Sequence, residues 1–173
     1  MRIADFRLCQ RGAAAAEMAL MLPIMVIILF GMFEGGYFLY NEHKVVKGVR
    51  DGARFAARQS LTNFDCSSTS LSSTTVRDQI RNVTVFGHPT PTTSTTNVTD
   101  VPAVPGWDPA TDVTVTISCD TGTATGIYKD FTGGAPRVTV AADVDYLPLF
   151  GVIGFDASSL DLKAEAQAAV TGL

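Results

Sequence analysis

The chain has 173 residues, a net charge of −4 and 9% aromatic residues. That leaves room for one anchor and one small domain, and the residues after position 50 suffice for a modest core. Residues 1–50 hold six Lys/Arg against four Asp/Glu, whereas residues 51–173 hold seven against thirteen. An acidic body with few aromatics argues against nucleic-acid binding.

The chain opens with a basic leader, Arg2, Arg7 and Arg11, that ends in Gly12. Four alanines separate Gly12 from Glu17, and Met18 to Phe33 carry no charge. A glutamate at the start of an apolar helix is costly and needs a reason. Cleavage after Gly12 would supply one, because Ala13 would gain a free α-amino group one helical turn from Glu17. The small residues would let a peptidase reach the backbone. This is the arrangement of a class III, prepilin-type signal, with Gly12 and Ala13 flanking the cut and Glu17 pairing with the new amine.

Residues 13–40 are long enough to cross a bilayer as a tilted helix. Pro23 removes one helical hydrogen bond and is expected to kink the span. Tyr37 and Tyr40 fall where interfacial aromatics belong, near Glu34. Gly31 and Gly35 have the spacing of close helix contacts, which ordinary membrane-helix composition would also produce. A conventional cleaved signal fits poorly, since the run is long and no good small-x-small site follows it. A permanent single-span anchor is the plain alternative. Arg2, Arg7 and Arg11 favour a cytoplasmic N-terminus, while Lys44, Lys47, Arg50, Arg54 and Arg58 oppose it.

No proline occurs between Pro23 and Pro89. Val45, Val49, Ala53 and Ala56 recur at helical spacing, so residues 41–60 read as a helical stem that continues the span. Gly48 and Gly52 mark either a packing surface or a soft joint. Residues 60–75, rich in Ser and Thr, read as an exposed loop containing Cys66. Ser72 or Ser73 can cap a short helix with Val76, Ile80 and Val83 on one face. Five prolines make residues 87–109 an irregular connection, and Trp107 there is either a local anchor or a contact point.

The remainder alternates with period two. Val113, Val115 and Ile117 form one apolar set, and Val138, Val140, Ala142, Val144 and Tyr146 a second. Leu160, Leu162, Ala164, Ala166, Ala168 and Val170 form the third. The last is alanine-rich, yet only a strand places all six on one face. Gly126 and Gly133-Gly134 mark turns. The fold class expected is α+β: a long N-terminal helix packed on a small antiparallel sheet. Residues 1–12 are the leader, 13–40 the span, 41–60 the stem and 61–173 the folded domain.

Cys9 lies in the leader. Cys66 and Cys119, the two cysteines beyond the span, suggest one disulfide in an oxidising space, the alternative being two buried thiols. No nucleotide loop, zinc spacing or catalytic triad is present, so no enzyme activity, cofactor, metal or small-molecule substrate is expected. His43 and His88 read as solvated side chains, and Asp143 with Asp145 as a solvated strand face.

The stretch Arg11-Gly12-Ala13-Ala14-Ala15-Ala16-Glu17-Met18-Ala19-Leu20, with Leu22-Pro23, resembles the TadE-like family of tight-adherence pilus proteins. Val46 to Ala57 is similar to that family's post-membrane helix, and Val138-Thr139-Val140 leading to Tyr146-Leu147-Pro148-Leu149 is similar near its end. The resemblance implies a minor pilin-like subunit or assembly factor of a tight-adherence pilus, in a pilin-like fold. Its implied partners are a prepilin peptidase, other pilin-like subunits, an inner-membrane assembly platform and the lipid bilayer. With the cysteine pair, it implies a bacterial inner-membrane protein with the N-terminus inside and the domain in the periplasm. The alternative is an uncleaved, membrane-anchored binding domain such as an adhesin.

Overall fold

The computed structural model describes residues 10–67, 70–90, 100–122, 126–131, 133–151, 154 and 159–172. The first nine residues of the expected leader, Cys9 among them, lie outside the described residues. The architecture is α+β, a long helix packed on a three-stranded antiparallel sheet.

Helix α1 spans Gln10–Ala57, 48 residues, about 72 Å at 1.5 Å per residue. Pro23 lies within it and the helix continues on both sides. Having no N–H, Pro23 leaves the Ala19 carbonyl without its usual helical donor. Every residue from Gly12 to Phe33 is exposed. From there on one face is covered: Glu34, Asn41, Val45, Val49, Ala53 and Ala56 are buried. Those positions recur every three, four or seven residues, which keeps them on one stripe. The folded domain thus begins to cover α1 at Glu34, within the expected span of residues 13–40.

Helix α2 spans Thr74–Phe86. The Ser73 side chain accepts the Val76 N–H at its start, and Gly87, at φ 82°, closes its end by donating to the Val83 carbonyl. Val76, Ile80, Val83, Thr84 and Val85 are buried. Gly48 and Gly52 form a packing surface for this helix. A Cβ on Gly48 would clash with the Thr84 carbonyl oxygen and come within 2.8 Å of the Trp107 ring; one on Gly52 would clash with Thr84 Oγ1. Two absent side chains, one turn apart, let the helix backbones approach. Trp107 is 2% exposed and is an anchor within the core.

The loop after α1 carries more structure than its composition suggests. A 3₁₀ turn, Leu61–Asn63, leads into β1 (Phe64–Asp65), which pairs antiparallel with β2 (Ser70–Leu71). Phe64 and Leu71 are buried, so the reading of an exposed loop is corrected: two apolar residues among polar ones pin it to the core. Cys66 and Cys119 form a disulfide with Cα atoms 5.7 Å apart. Gly133, at φ 101°, lies so close that a Cβ there would come within 2.7 Å of Cys66 Cβ.

The sheet has the order β3 (Val113–Asp120), β4 (Ala135–Asp145), β5 (Asp161–Ala169). Val115 faces Val140, and Val140 faces Ala166. Val138, Val140, Ala142, Val144 and Leu162 are buried, with Ala164, Ala166 and Ala168 packed against them. The alanines of β5 give the sheet a small-residue surface on which α1 lies. Leu160, expected on the same face, is 47% exposed. On the outer face the Lys163 ammonium is 2.7 Å from Asp143 and 3.3 Å from Asp161, and these carboxylates raise its pKa. The Thr171 N–H donates to the Ala57 carbonyl at 2.8 Å, tying the chain after β5 to the end of α1.

His43 is exposed. His88 departs from expectation: its Nε2 is 3.2 Å from Asp100 Oδ1, and its ring stacks on Phe86. The polar partner, Asp100, lies twelve positions further along the same proline-rich connection, a pairing that sequence spacing does not reveal.

Candidate membrane and assembly site

Gly12, Ala13 and Glu17 lie in the first turns of α1, all exposed. The helix runs unbroken across the Gly12–Ala13 bond. Ala13 and Glu17 are four residues apart, so they lie on one face about 6 Å apart along the axis. The apolar part that follows has a mean hydropathy of 2.3 over its most apolar window, with none of that window buried. By length and composition α1 can cross a membrane.

Seventeen positions after Glu17 lies a second glutamate in a different setting. Glu34 is 5% exposed. Its Oε1 accepts the Tyr146 hydroxyl at 2.5 Å and the Leu149 N–H at 3.1 Å, and its Oε2 accepts the Phe150 N–H at 3.1 Å. Two successive backbone N–H groups form a concavity suited to an anion. Pro148 fixes the backbone just before them. The segment Tyr146-Leu147-Pro148-Leu149, noted in the sequence for its resemblance, therefore forms the clamp on this carboxylate together with Phe150.

Aromatic rings close around the clamp. Tyr146 packs edge-on to Phe38 with centroids 5.1 Å apart, and Tyr37 lies 6.2 Å away. Phe150 packs edge-on to Phe30 at 4.9 Å. Burial, then the hydrogen bond and negative charge of Glu34, raise the Tyr146 pKa far above its ordinary value, with Tyr37 adding to the effect. The phenol therefore stays protonated and keeps donating. Closer to the stem, the Lys44 ammonium lies 4.4 Å from the Tyr40 ring centroid.

The sequence placed Glu34 at the far interface but named no partner for it. The available signal was an acidic residue in an apolar helix, which demands donors. The donors come from 112 to 116 positions later in the chain. What the arrangement does chemically is hold: a carboxylate with three donors and no adjacent nucleophile fastens the domain to the helix. Among the described residues, no group of three His, Cys, Asp or Glu could hold a metal ion.

No curated protein and no solved structure matches the chain. One family model does match: residues 12–54 are similar to the family described as TadE-like protein, the family that the N-terminal motif and the stem resemble.

Proposed function

We propose that this chain is a minor pilin-like subunit or assembly factor of a bacterial tight-adherence pilus, a structural protein and not an enzyme. The observation that carries this reading is the helix from Gly12 to Phe33, apolar and wholly exposed, headed by Gly12, Ala13 and Glu17. A prepilin peptidase cuts after Gly12. The basic leader stays in the cytoplasm and the folded domain lies in the periplasm, where its disulfide persists. The exposed helix is held by lipid before assembly and by neighbouring pilin-like subunits during it, with an inner-membrane platform moving the subunit between the two. Glu17 then pairs with the amine of Ala13 in its own chain or a neighbour.

Mass spectrometry of the N-terminus of protein recovered from membranes tests this. A start at Ala13 supports processing. A start at Met1 in cells with an active peptidase would turn the reading toward an uncleaved, membrane-anchored binding domain.

A further inference from the structure

The turn that leaves β4 is apolar and uncovered. Leu147 and Leu149 are each 51% exposed, and Leu160, where the chain returns to β5, is 47% exposed. The sequence has no charged residue between Asp145 and Asp156. In water, such a patch on a small domain calls for a partner.

Its position along α1 indicates the partner. Phe150 touches Phe30, and the Leu149 and Phe150 N–H groups are fixed on Glu34. The uncharged stretch from Met18 to Phe33 is about 24 Å long at 1.5 Å per residue. A hydrocarbon core of about 30 Å centred on it reaches slightly past Glu34, and Phe30 lies about 8 Å inside its edge. Moving the core toward the N-terminus to lift Phe150 out would draw Glu17 deeper and bring in Arg11, or the Ala13 amine after the cut. Moving it the other way sinks the turn deeper. In each placement the turn stands at the level of the acyl chains.

A cleft of about 240 Å³ opens at the same level, lined by Gly31, Glu34, Gly35, Phe38, Tyr146 and Leu160. A Cβ on Gly31 or Gly35 would meet nothing within 4 Å, so these glycines leave the cleft open along the helix.

We propose that the 147–151 turn, with Leu160, inserts into the bilayer leaflet nearer the folded domain, with phospholipid acyl chains against Leu147, Leu149 and the cleft. This rests on the reading of α1 as a membrane span. The domain then stands on the membrane by two parts, the helix and an apolar foot, and the Glu34 clamp joins them where the carboxylate would otherwise face lipid.

Fluorescence of the full chain in phosphatidylethanolamine–phosphatidylglycerol vesicles, with and without bromine on the acyl chains, tests this. The wild type supplies the baseline from buried Trp107. Ile27→Trp reports the span and Leu149→Trp the foot, with Leu147→Trp as a second position should Leu149→Trp misfold. The expected result is loss of emission in brominated vesicles for both reporters. Quenching of Ile27→Trp alone overturns the foot and leaves the span standing. Quenching of neither removes the span, and the proposal with it. A blue-shifted but unquenched Leu149→Trp means that protein, such as a second copy of the chain, covers the patch, and this also overturns the proposal.

Discussion

Tyr146 donates its hydroxyl to the carboxylate of Glu34 at 2.5 Å, across 112 positions of sequence. The bond joins the residue after β4 to α1 within the expected span, seven residues before the stem, and both partners are buried. A carboxylate in such surroundings is tolerable only when its oxygens are occupied, and here three donors occupy them. The pair fixes where the sheet stands along α1.

Tyr146→Phe removes one donor and nothing else of size. A hydrogen bond to a charged group contributes about 1.5–3 kcal/mol. The variant should unfold at a lower denaturant concentration in detergent micelles by that amount, with its disulfide intact. Glu34→Leu should do at least as badly, because the Leu149 and Phe150 N–H groups then lose their acceptor. Wild-type midpoints for both variants would show that the clamp is incidental.

Alkaline pH should loosen the same contact. An unfolded tyrosine ionises near pH 10, whereas burial and Glu34 hold the Tyr146 proton to higher pH in the folded chain. The contribution is therefore complete below about pH 10 and is lost as pH rises beyond it. Stability of the wild type should fall more steeply above that point than stability of Tyr146→Phe. Parallel curves for the two proteins would contradict the assignment.

The disulfide closes a sequence separation of 53, which constrains the unfolded chain by about 4 kcal/mol in the entropic picture. Replacing Cys66 and Cys119 together by serine should lower the unfolding midpoint accordingly. Adding reductant to the wild type should reproduce the shift, and adding it to the double variant should change nothing. Equal midpoints with and without reductant would mean that the bond contributes no stability.

Glycines at similar spacing on α1 should behave oppositely. Gly48→Ala gains about 1 kcal/mol in helix propensity. It also forces a Cβ against the Thr84 backbone carbonyl and the Trp107 ring, at about 1–3 kcal/mol. Backbone on one side and a packed indole on the other leave little relief, so destabilisation should win. Gly35→Ala meets nothing within 4 Å and should leave the midpoint unchanged or raised. A stabilised Gly48→Ala would show that α2 can move aside.

The sequence was most legible where local pattern and packing agree. Alternation with period two identified the three strands of the larger sheet, including alanine-rich β5, because an in-out rhythm survives even when side chains are small. The Ser72-Ser73 pair announced α2 because an N-cap is a local bond, and the structure selects Ser73. The Glu34 clamp was not legible: its donors are two backbone N–H groups and a tyrosine in a distant turn, which no periodicity connects. Gly48 and Gly52 were ambiguous for a related reason, since a missing side chain says nothing of what approaches it. Phe64 and Leu71 were hidden by the polar residues between them. At the N-terminus the sequence gives the spacing of Gly12, Ala13 and Glu17, and the structure adds their exposure.

Glu17 closes the contrast with Glu34. It is exposed on a helix surface that has no domain against it, so removing its charge should leave folding of the domain untouched. As an anion at mid-span it would cost about 2.5–3.5 kcal/mol, and less near the edge. Pairing with the amine of Ala13, in its own chain or a neighbour, would offset that cost. Glu17→Gln should therefore insert, be cut after Gly12 and accumulate normally, with the denaturation midpoint of the wild type. It should nevertheless yield fewer pili by electron microscopy, because a charged contact between subunits is gone. Gly12→Phe should instead block the cut and leave the longer form on a gel. Normal piliation by Glu17→Gln at normal protein levels would mean that Glu17 sits at the headgroups and pairs with nothing.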